Sequence, residues 1–264
     1  MPEPMIDIGV NLTDQRFARD LDAVLERARN AGVTTLVVTG TSIEGSQAAQ
    51  ALCDAYPGQL YFTAGVHPHH ADEFDRRALE ELQRLSTHPA CVAIGETGLD
   101  FNRNFSSQTA QLEAFERQLA LAGDTGLALF LHERDAHSRQ LEMLKRHRDS
   151  INRAVAHCFT GSAEELHAYL DLDLYIGLTG WICDERRGSH LLPLIKDIPK
   201  DRLLLETDAP YLLPRGLRPK PKSGRNEPCY LPHIAQRVAE ATAEPIEDLL
   251  TRLHANSRTF FGLD

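Results

Sequence analysis

No apolar run in this chain approaches the ~18 residues that a helical membrane span needs, so a bilayer-spanning helix is not expected. Cysteine is scarce. Cys53, Cys91, Cys158, Cys183 and Cys229 are odd in number, far apart and free of any C-x-x-C spacing. That pattern argues against a disulfide framework or a zinc ribbon and makes a reducing cytoplasm the expected compartment. An excess of positive charge is missing too: 28 Lys and Arg stand against 38 Asp and Glu, a formal net charge of −10. Contact with phosphates needs a positive surface, so any nucleic-acid chemistry must rest on a local basic patch or a bound cation. Heptads, low-complexity tracts and short repeats are also absent. Met1-Pro2-Glu3-Pro4 carries neither a basic nor an apolar leader segment, so no secretory signal is expected.

What is present is an ordinary globular mixture, 42% hydrophobic and 25% charged over 264 residues, enough for a large core. Short β-branched or apolar runs alternate with helical patterns from end to end. Strands are expected at Met5–Val10, Val33–Thr39, Leu60–Val66, Cys91–Glu96, Leu127–His132, Ala154–Cys158, Leu174–Leu178 and Leu203–Asp208. Helices are expected near 20–31, 42–56, 76–86, 107–124, 137–148, from Ser162, 189–195, 232–241 and 245–256. The fourth helix places Leu112, Phe115, Leu119 and Ala122 on one face, and Gly126 ends it. Ser162 with Glu165 reads as a capping box. Eight strands each followed by a helix predict a single-domain α/β fold over residues 1–264, a (β/α)8 TIM barrel. An open doubly wound sheet shares the local pattern, but Asp7-Ile-Gly-Val-Asn11 is no glycine-rich phosphate fingerprint.

Polar residues collect where the strands end. Closure of a barrel would bring His67, Glu96, His132, His157, Glu206 and Asp208 to one rim, and imidazoles with carboxylates are divalent-metal ligands. His132 and His157 read as ligands. His67 reads either as a ligand or as a residue positioning phosphate or water. His69 and His70 follow a proline and read as solvated surface residues. Glu96, between Gly95 and Gly98, sits where a backbone or ligand can approach closely. Cys158 reads as packing. Five basic residues, Arg215, Arg218, Lys220, Lys222 and Arg225, lie between Tyr211 and Asn226 with no acidic residue, and Pro214, Pro219 and Pro221 keep that segment from being a helix. It reads as a phosphate rail or as a solvated loop. Arg134 and Arg187 are candidates for phosphate contact or for surface pairing, and Trp181 and Phe101 for base stacking or packing.

Several stretches together resemble the TatD family of metal-dependent nucleases. They are Asp7-Ile-Gly-Val-Asn-Leu12, Ala64-Gly-Val-His-Pro-His69, Ala93-Ile-Gly-Glu-Thr-Gly-Leu-Asp-Phe-Asn-Arg-Asn-Phe105, His132 with Arg134-Asp135-Ala136, His157-Cys-Phe-Thr-Gly161, Gly180-Trp-Ile-Cys-Asp-Glu-Arg-Arg187, Glu206-Thr-Asp-Ala-Pro-Tyr-Leu-Leu-Pro214 and Arg225-Asn-Glu-Pro228. They run in order along almost the whole chain. The resemblance implies a barrel of the metal-dependent hydrolase superfamily and 3′→5′ exonuclease action on single-stranded DNA, or RNA, in the cytoplasm, with a role in DNA repair or degradation. It implies Glu96, His132 and His157 as metal ligands, Asp208 as a metal-linked acid/base and His67 as a further pocket residue. Magnesium is the expected cofactor, with manganese or zinc as alternatives. A monomer without an obligate protein partner is expected. Many family members carry two histidines at the end of the first strand, where this chain has Gly9 and Asn11, a pattern shared by TatD-like members. One metal then suffices, or a second is held through Glu96, Asp208, waters and substrate phosphate. Two other readings use the same residues: hydrolysis of another ester or amide, such as an aminoacyl-tRNA, or a barrel that binds nucleic acid without cutting it.

Overall fold

The computed structural model describes residues 3–263; Met1 and Pro2, which carry half of the leader reading, and Asp264 lie outside the described residues. Eight strands form one sheet in sequence order: β1 (Met5–Val10), β2 (Val33–Val38), β3 (Leu60–Ala64), β4 (Cys91–Asp100), β5 (Ala128–Arg134), β6 (Ala154–Ala156), β7 (Tyr175–Leu178) and β8 (Leu203–Leu205). The pairs β1–β2, β3–β4, β4–β5, β5–β6 and β7–β8 are parallel. A helix follows every strand: α1 (Leu21–Asn30), α2 (Ile43–Ala55), α3 (Arg76–Ser86), α4 (Gln108–Thr125), α5 (His137–His147), α6 (Ala163–Leu170), α7 (Leu191–Leu194) and α8 (Leu231–Thr242), with α9 (Ile246–Phe261) closing the chain. Beyond β8, Ala209 bridges back to Val10 and its carbonyl accepts the Asn11 N–H at 2.7 Å. This order, with the last strand returning to the first, is that of the expected (β/α)8 barrel. Among the described residues, no helix is long and apolar enough to cross a membrane.

The chain divides into two compact units interleaved in sequence. The first takes the chain up to Val38, Cys158–Leu166 and everything from Ile176 onward; the second takes Thr39–His157 and His167–Tyr175. The second unit is built around β4, whose ten residues are all buried. Phe62, Phe115 and Phe130 are fully buried there, each contributing about 1.5–3 kcal/mol of hydrophobic stabilisation. On α4, Phe115, Leu119 and Ala122 are buried as expected, while Leu112 is only half-buried. The surprise on that helix is polar. Gln111 and Gln118 are also fully buried, and their side-chain amides pair with backbone at the ends of two strands. Gln118 accepts from the Val66 N–H at 2.8 Å and donates to the Val66 carbonyl at 3.0 Å. Gln111 accepts from the Asp100 N–H at 2.9 Å and donates to the Asp100 carbonyl at 3.1 Å. Gln140 of α5 accepts from the Leu99 N–H at 3.0 Å. Strand ends aimed at a polar site leave ladder partners behind, and buried backbone groups must find others. Ser42, Asp75 and Ser107 cap α2, α3 and α4.

In the first unit, Ser162 and Glu165 form the expected capping box: Ser162 N–H donates to Glu165 Oε2 at 2.7 Å, and Glu165 N–H to Ser162 Oγ at 3.3 Å. Several element bounds differ from the sequence expectation. β6 and β8 stop two and three residues early, and the positive φ of Cys158 (45°) and Asp208 (52°) shows the chain turning there instead of extending. The helix expected at 189–195 shrinks to Leu191–Leu194, continued by a 3-10 turn over Ile195–Asp197.

The largest difference is β4, which runs to Asp100 instead of ending at Glu96. Glycines usually weaken a strand, yet Gly95 and Gly98 lie inside this one, beside the close approach expected at Glu96. In the structure they permit its continuation. Gly98 sits opposite His132 of β5 at φ 143°, and a Cβ there would collide with the His132 carbonyl. Gly98→Ala therefore combines a backbone strain of about 1–3 kcal/mol with a clash against main chain. The urea midpoint of this variant is expected to fall accordingly; a midpoint equal to that of the parent protein would contradict the close β4–β5 approach.

Candidate metal centre

Within the second unit, three strands deliver imidazoles to one carboxylate oxygen carried by a fourth. Glu96 Oε1 lies 2.9 Å from His157 Nε2, 3.0 Å from His132 Nδ1 and 3.4 Å from His67 Nε2. Glu96 projects from the irregular stretch of β4 between Ile94 and Thr97. His132 stands on β5, and His157 follows β6, its N–H bound to the Leu131 carbonyl at 3.0 Å and its ring 4.7 Å from that of Phe130. His67 follows β3 and opens the 3-10 turn Pro68–Glu73. The ring of His67 is oriented from both ends: Nδ1 accepts the His69 N–H at 3.0 Å, so in the neutral imidazole the proton sits on Nε2, facing Glu96.

Asp100 forms a second carboxylate layer. Its Oδ2 is 3.3 Å from His132 Nε2 and 2.8 Å from His69 Nε2, and its Oδ1 accepts the N–H groups of Asn102 and Arg103. His132 is thus bracketed by carboxylates on both ring nitrogens. Asp100 was quoted in the sequence only as part of a motif. The signal for its role was the two-residue strand period, which puts residues 96, 98 and 100 on one face with a glycine between the acids. His69 is the clear correction. It is a half-buried partner of Asp100, not a solvated loop residue, because the 3-10 turn folds it back over β4. His70 is exposed as expected. Phe105, 65% exposed, stands edge-on to the His69 ring at 4.8 Å, a position the sequence did not single out.

The electrostatics follow from burial and pairing. Burial alone would raise the Glu96 pKa, but the charge on His157 and the bonds from His132 and His157 outweigh it and hold it well below the usual carboxylate range. Burial would lower that of His132, and the Asp100 and Glu96 carboxylates outweigh it and raise it. Burial dominates at His67 and pushes it down to about 4, leaving a neutral ring at pH 7. The candidate ligand atoms of His67, Glu96 and His132 lie within 4.8 Å of one another. An ionised carboxylate, imidazoles and an outer carboxylate that fixes a histidine tautomer form a donor set that fits a divalent cation.

The first unit holds the remaining predicted acids. Asp208, in a left-handed turn after β8, accepts the Asn11 side-chain N–H at 2.9 Å and gives its own N–H to the Gly9 carbonyl at 2.9 Å. Gly9 and Asn11 therefore hold Asp208 in place. Glu206 is fully buried and accepts the Cys158 N–H at 2.6 Å, so Cys158 contributes its backbone to the strand ends. Asp7, also fully buried, accepts the Thr207 N–H at 2.9 Å and its hydroxyl at 2.5 Å; burial pushes its pKa up to about 8 against those bonds.

The basic candidates separate by their partners. Arg225 is committed to Asp20 at 2.8 Å and Glu227 at 2.7 Å. Arg187 and Arg215 both bind Asp184, at 2.9 and 3.0 Å. Arg218, Lys220 and Lys222 are exposed, as is Arg134 at the end of β5. Trp181 is half-buried with the Arg187 guanidinium 4.2 Å above its ring, and Phe101 is half-buried with its N–H on the Arg134 carbonyl.

Histidines and acids gathered at the strand ends of a (β/α)8 barrel are the mark of the metal-dependent hydrolase class. Comparison with known proteins narrows this. The TatD related DNase family model matches residues 6–262. The 3′-5′ ssDNA/RNA exonuclease TatD of Pantoea vagans (strain C9-1) is 54% identical over 259 residues, covering 98% of this chain and 100% of that protein. The protein of the same name from Klebsiella pneumoniae (strain 342) is 53% identical over 260 residues, covering 98% of each. Among solved structures, the TatD homolog YJJV of Escherichia coli k12 superposes with a TM-score of 0.89 at 30% identity over 98% of each chain. A TatD family hydrolase from Entamoeba histolytica gives 0.90 at 28% identity over 99% of each. The chain belongs to the TatD related DNase family.

The anchoring of the basic loop has a defined pH dependence. The bond from Arg225 leads in lowering Asp20 to about 2, from an ordinary value of 3.8. The stabilisation is fully present above pH 3.8 and is lost as pH falls through about 2. The difference in Tm between wild type and Asp20→Asn is expected to be constant from pH 7 to about 5, to shrink below that and to close near pH 2. A gap that persists at pH 2 would contradict the ion-pair origin.

Proposed function

We propose that this protein is a divalent-metal-dependent nuclease that removes nucleotides from the 3′ end of single-stranded DNA and RNA. The observation that carries the reading is Glu96 Oε1, buried and surrounded by three imidazole nitrogens. The names of relatives above 50% identity support the substrate class. A cation would be held by Glu96, His132 and His157, with Asp100 fixing the His132 tautomer. Asp208 joins this set on its Glu-Thr-Asp-Ala-Pro motif alone. When bound, the ion supplies charge relief at the phosphoryl oxygens and lowers the pKa of a water.

The protein's own groups do the rest. Asp208, oriented by the Asn11 amide, takes the proton of the attacking water. His67, neutral and protonated at Nε2, donates a hydrogen bond to a phosphoryl oxygen. Arg134, Arg218, Lys220 and Lys222 meet the remaining backbone phosphates, and Phe105 offers an exposed ring on which a terminal base can stack. Residues 1–264 act as one catalytic domain and as a monomer, in the cytoplasm, with magnesium as the working ion and manganese or zinc as substitutes. Repair or degradation of DNA is the cellular role that fits this activity.

The test is to strip the protein with chelator and add back each ion in turn with end-labelled single-stranded DNA. Stepwise shortening from the 3′ end is expected, absent without metal. Asp208→Asn should lower kcat by about 10²–10⁴, the usual share of a general base. Turnover within a few-fold of wild type in that variant would remove Asp208 from its role. No cleavage with any ion by folded protein would overturn the nuclease reading.

A further inference from the structure

Asp184 is an acid with an unusual set of partners. It follows the 3-10 turn Gly180–Cys183, and its side chain is 5% exposed. One oxygen, Oδ2, takes both Nε and Nη2 of Arg187 at 2.9 Å and Nε of Arg215 at 3.0 Å, while Oδ1 accepts the Arg186 N–H at 3.0 Å. Its carbonyl accepts the Gly188 N–H at 2.7 Å, so the turn around it is closed. The two arginines come from separate loops that touch through Gly180, where a Cβ would stand 2.6 Å from the Leu212 carbonyl and 2.8 Å from Pro214 Cγ. The Arg187 guanidinium carbon also lies over the Trp181 ring, 4.2 Å from its centroid. Both arginine side chains nevertheless remain more than half exposed, at 58% and 52%.

A buried carboxylate with two half-exposed arginines leaves one net positive charge and a set of guanidinium N–H groups outside the carboxylate contact. An ordinary surface ion pair pairs one acid with one base and holds neither firmly. Here three contacts to one oxygen and a ring beneath one guanidinium fix the fork geometry in advance, which is what bidentate phosphate recognition requires. Next to this pair, Arg215 borders a cleft of about 420 Å³ lined by bases and acids alike, Arg186, His233 and Arg237 with Glu185 and Glu240, and Arg237 is paired with Glu240 at 3.4 Å.

We propose that Arg187 and Arg215, locked by Asp184, form a clamp for a backbone phosphate of the nucleic-acid strand, with Asp184 as the positioning residue. The clamp rests on the nuclease reading for the identity of its ligand and extends it to a defined phosphate subsite.

The experiment measures binding of fluorescent oligothymidylate and oligouridylate to metal-free, full-length protein, across a range of salt and strand lengths. The double variant Arg187→Gln/Arg215→Gln should bind about tenfold more weakly. Its slope of log affinity against log salt should fall by about 0.7, the share of one phosphate on a single strand. DNA and RNA should lose equally, since the backbone phosphate is common to both. Asp184→Asn separates clamp from bulk charge. It raises the positive charge, so simple attraction predicts tighter binding, whereas loss of a preorganised clamp predicts weaker binding by several-fold. Circular dichroism and melting of both variants check that the loops stay folded. Tighter binding by Asp184→Asn in folded protein, or an unchanged salt slope in the double variant, overturns the proposal. Loss on only one of the two strand types also overturns it. Because the assay contains no metal, a failure of hydrolysis in wild type would strike the nuclease reading and leave this result standing.

Discussion

Everything in the second unit is arranged so that one carboxylate oxygen can stay charged while buried. An isolated carboxylate removed from water would take up a proton. Glu96 avoids this because three imidazole nitrogens converge on Oε1. That convergence requires the backbones of β3, β4 and β5 to approach closely at their ends, and glycine at positions 65, 95 and 98 permits it. Close approach in turn disrupts the regular ladder, and Gln111, Gln118 and Gln140 supply the missing hydrogen bonds from the helices outside. The polar helix face, the glycines and the histidines are therefore parts of one solution. A binding barrel with no chemistry to perform would have no use for an ionised acid maintained at such structural cost.

The first unit orders an acid through the end of β1. Gly9 and Asn11 offer no imidazole, yet both engage Asp208, one through its carbonyl and one through its side-chain amide. Asp208 lies in a left-handed turn, a conformation that aspartate adopts more readily than most residues. The departure from the two-histidine pattern is thus compatible with an ordered acid. The Asn11 amide orients that acid.

Much of this was legible in the sequence because alternation of short apolar runs with amphipathic stretches depends on local pattern alone. The strand order and the cluster of Glu96, His132, His157 and His67 followed from it. What was not legible depended on backbone geometry that pattern does not encode. The fourth strand was expected to end at Glu96, whereas the close approach allowed at Gly95 and Gly98 carries it on to Asp100. His69 read as solvent-exposed because Pro68 suggested a loop, whereas it starts a 3-10 turn that returns the ring to Asp100. Gln111 and Gln118 were not singled out, since a buried amide partnering a strand end has no signature of its own.

Charge is where counting residues misleads most. A net charge of −10 argues against a polyanion substrate, and by count the run from Arg215 to Arg225 answers it with five cations. The structure divides those five. Arg225 neutralises acids of its own unit and anchors the loop, and Arg215 shares Asp184 with Arg187. Arg218, Lys220 and Lys222 remain as exposed charge. Acidic residues next to these arginines subtract from the total but add to order, because a guanidinium held on one edge presents its other edge in a fixed direction. For a ligand whose phosphates are spaced by its own covalent backbone, fixed direction is worth more than an additional mobile charge.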